Sequence, residues 1–277
     1  MANLTVSHLF FYRFLKRNTF FIIFESINHL KIKIMASTSE TGHAKNVANF
    51  QTLISFATGY GATYNPSKNT LKLPQLSALA TASQASLADV VTKNTTYNNK
   101  VNERLSAFEN LKPLATRLIN AIQITDATSE KVANAKSLNK KMQGSRAKAI
   151  ATPADPTAPA PTTISTSQQS YDQQIQHFAG IISVLQSEPS YAPNETDLKI
   201  VTLTAKQADL TAKNSAVATA YATISNSRID RDTTIYAPET GLFDTAAEVK
   251  KYIKSVFGAT SPQFDQVKGI EFTKQKK

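Results

Sequence analysis

The chain has no cysteine and no tryptophan, and only eight of its 277 residues are glycine. The missing cysteine excludes disulfides, thiolate metal sites and a cysteine nucleophile, while leaving the redox compartment open. Scarce glycine with abundant Ala, Ser, Thr, Asn, Gln and Lys points to long helices with small side chains; strands would want β-branched and aromatic alternation. No phosphate loop, dinucleotide fingerprint or nucleophile elbow occurs. After Met35 the best apolar run is GIISVL, far short of a membrane-spanning helix.

Only His43 and His177 follow Met35. A metal site wants clustered ligands, and neither has them. His43 is expected to be solvated in the first turn of a helix, and His177, beside Phe178, to sit at a core edge or on the surface. Asp230, Asp232 and Glu239 gather near Arg228 and Arg231 without the spacing of a calcium loop. A helix terminus of mixed charge is the expectation there. No catalytic residue, cofactor or metal site is therefore expected, and the chain reads as a non-enzyme.

Residues 1–34 hold six of the fourteen phenylalanines, and the composition changes abruptly at Met35. The run Phe20–Phe24 is too short for a signal peptide and no small-residue cleavage site follows it; interior charges also defeat a membrane span. Phe, Ile, Lys, Asn and Tyr are residues of A/T-rich codons. The segment therefore reads as a non-native extension from a misplaced start, with Met35 as the true one, ahead of an interfacial anchor. With no targeting signal left, the expected location is the cytoplasm, and leaderless export stays open.

What the chain has is a phrase written twice. Residues 64–76 read YNPSKNTLKLPQL, and residues 191–203 read YAPNETDLKIVTL. Between 64–87 and 191–214, seven of 24 aligned positions are identical, including Tyr64/Tyr191, Pro66/Pro193, Leu71/Leu198, Lys72/Lys199 and Leu76/Leu203. Each phrase follows a helical pattern, with Val47, Phe50, Leu53, Ile54 and Phe56 before the first and Ile175, Phe178, Ile181, Ile182 and Leu185 before the second. Each also opens a long helix. The first carries Leu76, Ala80, Ser83, Leu87, Val90, Asn94, Tyr97, Val101, Leu105 and Phe108 in a four-three rhythm, and the second Leu203, Leu210, Val217 and Ile224 seven apart. Lys112-Pro113 and YAPETG break the long helices. Thr125-Asp126, Thr245 with Glu248, and Ser261 with Pro262 offer helix starts.

These readings predict an all-α fold: an elongated bundle of two repeated helical-hairpin units sharing one interior. The divisions are 1–34, helical repeat 35–148, a Pro/Ala/Thr-rich linker at 149–168 and helical repeat 169–277. In each phrase proline stops the preceding helix, tyrosine covers the hairpin end, and the Leu-Lys-Leu/Ile stretch begins the rod.

The net charge of +11 owes +4 to residues 1–34, leaving +7 on the rest. Lysines cluster at Lys136, Lys140, Lys141, Arg146 and Lys148, and again at Lys250, Lys251, Lys254, Lys268, Lys274, Lys276 and Lys277. Cations at helix carboxyl ends and on solvated faces explain them without nucleic acid, since no RNA-binding aromatic signature accompanies them. The stretches YIKSVFGATSPQFDQVKGIEFTK and TSETGHAKNVANF resemble small uncharacterised helical proteins of Bacteroidota-type bacteria. That resemblance supports Met35 as the start and brings no activity or site residues. The functional expectation is a structural or protein-interaction protein whose partner is another protein or a second copy. A membrane-active helical protein like the pore-forming toxins is the alternative, and a lysine-rich nucleic-acid binder the third reading.

Overall fold

A narrow apolar stripe along a rod of small residues can be buried only by a second rod of like length, and the chain supplies two. The computed structural model describes residues 38–144 and 169–274, and the regular elements among them are all helical. In the first half α1 spans Thr38–Gly59, α2 Leu73–Phe108, α3 Leu111–Gln123 and α4 Ser129–Gln143. In the second half α5 spans Tyr171–Gln186, α6 Ile200–Tyr236, α7 Leu242–Phe257 and α8 Pro262–Lys268. Single 3-10 turns, Asn69–Leu71 and Thr196–Leu198, lead into the two long helices. The segment 1–34 and the linker 149–168 lie outside the described residues.

Helices α2 and α6 contain 36 and 37 residues, so each is about 55 Å long. They pair antiparallel from end to end. Ser227 donates to Asp89 at 2.6 Å, the Tyr97 and Tyr221 rings lie 5.9 Å apart, Arg104 donates to Asn214 at 3.1 Å, and Lys206 donates to the Ala107 carbonyl at 3.0 Å. The seam buries Leu76, Ala80, Ser83 and Val90 of α2 with Leu203, Leu210, Val217 and Ile224 of α6. Leu105 departs from the expected stripe, being 60% exposed. The rhythm passes instead through Val101, Arg104 and Phe108, steps of three and four that leave Leu105 one residue, roughly 100°, off the seam.

Buried side chains gather in two clusters, one at each end of the rod, where one shared interior was expected. At the end near Tyr64, Phe50 and Leu53 of α1 and Leu76 of α2 pack with Ile235 of α6 and Val249 and Ile253 of α7. At the end near Tyr191, Phe108, Leu118 and Ile122 pack with Phe178, Leu185 and Leu203. Between them Val90, Val217, Ala220 and Ile224 are buried but belong to neither cluster. The cause is length. A two-helix seam is one side chain wide, and the covering helices of 7 to 22 residues are too short to roof the whole rod. Each head draws on both halves of the chain.

Several helix starts differ from expectation. Helix α4 is capped by Thr128, whose hydroxyl accepts from the Lys131 amide, while Thr125 instead closes α3 by donating to the Ile122 carbonyl at 2.7 Å. Helix α7 already begins at Leu242, so Thr245 lies buried within it and Glu248 reaches Lys68 at 2.6 Å instead of capping. Gly241 permits that early start, since a Cβ there would stand 2.6 Å from the Ala237 nitrogen. The break expected at Lys112-Pro113 falls just ahead of it, with α2 ending at Phe108 and Pro113 in the first turn of α3. A proline there sacrifices no intrahelical bond. Ser261 caps α8 as expected, accepting from Phe264 at 3.1 Å.

Candidate functional site

The repeated phrase forms the bend between a short helix and a rod. In the first bend Tyr64 is buried and its hydroxyl donates to the Leu71 carbonyl at 2.8 Å; in the second, Tyr191 donates to the Leu198 carbonyl at 2.9 Å. Both bonds span seven residues and tie the bend to the 3-10 turn beyond it. Burial pushes both phenols up: Tyr64 is also raised by Tyr252, and Tyr191 reaches about 12 with the Glu195 and Asp197 carboxylates adding to the burial. Leu71, Leu198, Leu76 and Leu203 are all buried, Pro66 is buried and Pro193 half-buried. Lys72 and Lys199 are exposed and stand as the N-cap residues of α2 and α6, where their carbonyls accept from Leu76 and Leu203 at 3.0 Å. The ten residues thus divide into two sets at opposite ends of the rod.

Each bend is covered by a helix from the other half of the chain. Helix α7 covers the Tyr64 bend and α3 the Tyr191 bend. Leu111, Ala115, Leu118 and Ile122 of α3 stand 131 positions before Leu242, Ala246, Val249 and Ile253 of α7, and all eight are 0% exposed. The two covers then diverge. On α7, Tyr252 lays its ring edge-on to Tyr64, centroids 5.2 Å apart at 88°, and its hydroxyl accepts from the Asn65 amide at 3.2 Å. On α3 the matching position is Ala121.

Beside Ala121 lies an open groove of about 580 Å³. One wall is α3 and its C-cap residue, through Arg117, Ala121 and Ile124; the other is the bend, through Tyr191, Ala192 and Glu195. Ile124 stands on the rim 88% exposed. Arg117 bridges the mouth to Asp197 with both guanidinium nitrogens, which raises the arginine and lowers the carboxylate through their shared hydrogen bonds. Next to it, hydrogen bonds from the Ser190 hydroxyl, Lys131 and the Ser190 amide pull Glu188 down to about 2. The groove combines an aromatic floor, an apolar lip and a charged rim, the mixture that ligand-binding clefts use.

A second polar cluster lies in the Tyr64 head. His43, expected to be solvated, is 0% exposed, and its Nδ1 lies 2.9 Å from the Tyr236 hydroxyl. Asn46 donates to that hydroxyl at 3.1 Å and to the Thr273 carbonyl at 2.8 Å, while its own oxygen accepts from the Thr273 amide at 3.0 Å. Helix α1 begins at Thr38, so His43 stands in its second turn, where the Tyr236 ring packs against it with centroids 5.4 Å apart. This cluster satisfies buried polar groups and pins the carboxyl-terminal segment. His177 is buried as well, and burial, with Lys141 nearby, lowers it.

The charged groups singled out by sequence are dispersed. Asp230 and Asp232 lie within α6, Arg231 pairs with Asp232 at 2.8 Å, and Glu239 sits beyond the helix end in a left-handed conformation at φ 66°. Among the described residues no group of three or more His, Asp or Glu could hold a metal ion, and no helix is long and apolar enough to cross a membrane. Lys140, Lys141, Lys254 and Lys268 occupy last turns of helices. Lys250 donates to the Lys268 and Ile270 carbonyls and is lowered by burial. Arg146, Lys148, Lys276 and Lys277 lie outside the described residues. Comparison with protein-family models, with curated proteins and with solved structures gave no match.

Proposed function

We propose that this chain is a non-catalytic structural or protein-interaction protein, built from two copies of one helical unit and self-associating through the flanks of its rod. The observation that carries the reading is a set of coincident spacings. The two rods, the 3-10 turns that lead into them and the two tyrosine-to-leucine hydrogen bonds all recur at 127 residues. Arg104 and Arg231 share that spacing on the rods. A duplicated unit folded antiparallel upon its copy is related to it by an approximate two-fold axis and presents two similar ends. Such an object suits bridging or spacing partners, and like faces favour contacts between copies.

The rod also exposes Val91, Tyr221 and Ile229, at 65%, 60% and 61%. Scattered singly, such residues need no explanation; on the flanks of a rod only two helices thick they give a second rod something to grip. Light scattering during size-exclusion chromatography, repeated across protein concentrations, tests this. A mass rising to a dimer or beyond, and falling back to the monomer in Val91→Glu/Tyr221→Glu, is the expected result. A strict monomer at the highest concentration would contradict it.

A further inference from the structure

The two heads differ where α7 carries Tyr252 and α3 carries Ala121. Tyr64 and Tyr191 stand 127 positions apart, as do Asn65 and Ala192, and Ala121 and Tyr252 are matched by the four buried pairs of α3 and α7. By these equivalences the counterpart of the Tyr252 ring would lie in the groove. Its floor would be Tyr191, and its hydroxyl would meet the amide of Ala192. Ala121 and Ala192 both line that groove, as does Tyr191.

We infer that the groove of the Tyr191 head is a docking site for a tyrosine side chain of a partner polypeptide, the space one head fills from within and the other leaves for a ligand. This inference rests on the equivalence of the two halves proposed above. The chemistry follows from the filled head. An aromatic ring seated edge-on against a buried tyrosine gains both area and quadrupole complementarity. A phenol hydroxyl gains a backbone N–H, which an aliphatic side chain cannot use. The exposed Ile124 and the Arg117–Asp197 pair at the mouth offer an apolar and a charged contact to the residues flanking the inserted tyrosine. A polypeptide is the fitting source because the filled head already shows a tyrosine reaching this seat from a protein backbone.

The probe is N-acetyl-tyrosinamide, titrated into the full-length isotope-labelled protein and followed by NMR, with N-acetyl-phenylalaninamide and N-acetyl-leucinamide alongside. The expected result is saturable shifts at the Ala121 methyl, the Ala192 amide and the Tyr191 ring. Without the hydroxyl, binding should weaken roughly three- to tenfold, the worth of one hydrogen bond made in competition with water. Ala121→Tyr should abolish binding and raise the melting temperature, and Ala121→Leu should abolish it with a smaller change to the fold. Shifts of equal size for all three amides, or persisting in both variants, would overturn the site. Tyr252→Ala separates the two ideas: if it gains probe binding at Asn65 while the native groove binds nothing, the halves are equivalent and the docking site is wrong.

Discussion

Tyr64 and Tyr191 each close a bend with one hydroxyl, through a buried hydrogen bond to a leucine carbonyl. Tyr64→Phe and Tyr191→Phe should each cost about 1 kcal/mol in chemical denaturation. A midpoint unmoved in both variants would show that the leucine carbonyls find other donors. Acid should weaken the Tyr191 head through two neighbouring groups. Hydrogen bonds hold Glu188 down to about 2 in the folded protein, so its contribution is full above the ordinary carboxylate range and is lost as pH falls towards that value. His177 is lowered by burial, so the unfolded chain takes up its proton first, and stability declines as pH falls below about 6.5. Replacing His177 with leucine should flatten that limb of the stability-against-pH curve, and an unchanged slope would place the sensitivity elsewhere. The burial of His43 was not legible in the sequence. Its expected place in a first helical turn suggests water, whereas α1 begins at Thr38, and Tyr236, which covers it, lies 193 residues away along the chain.

At the scale of helices, periodicity recorded the seam well, because a heptad-like stripe is a local pattern with one geometric solution. Leu203, Leu210, Val217 and Ile224 are all buried as that pattern requires. It failed at Leu105, where the choice between adjacent apolar residues depends on what the partner helix presents. Leu203→Ala should therefore cost about 2–5 kcal/mol, whereas Leu105→Ala should stay within about 0.5 kcal/mol. Comparable losses at the two sites would contradict the register. Helix starts were the least legible feature, since a capping pair such as Thr245 and Glu248 is only useful where the chain stops being extended. Gly241 moves that point forward by bringing α7 against the end of α6. Gly241→Ala places a methyl on the Ala237 backbone, and should lower the melting temperature more than alanine at an open position such as Gly269, where nothing lies within 4 Å.

At the scale of the whole molecule, the described residues form two heads on an antiparallel rod, a plan that could not be read from either half alone. The repeated phrase pointed to a copied unit; it held no information on whether each copy folds on itself or crosses to the other. Crossing follows from the rods, whose stripes extend past the reach of the short helices beside them. Producing residues 1–148 and 149–277 as separate chains tests the composite heads most directly, by light scattering and circular dichroism on each half and on their mixture. The expected result is a helical, cooperatively melting one-to-one complex from the mixture, with neither half folding as a monomer. Two halves that each fold alone as stable monomers and ignore one another would contradict it.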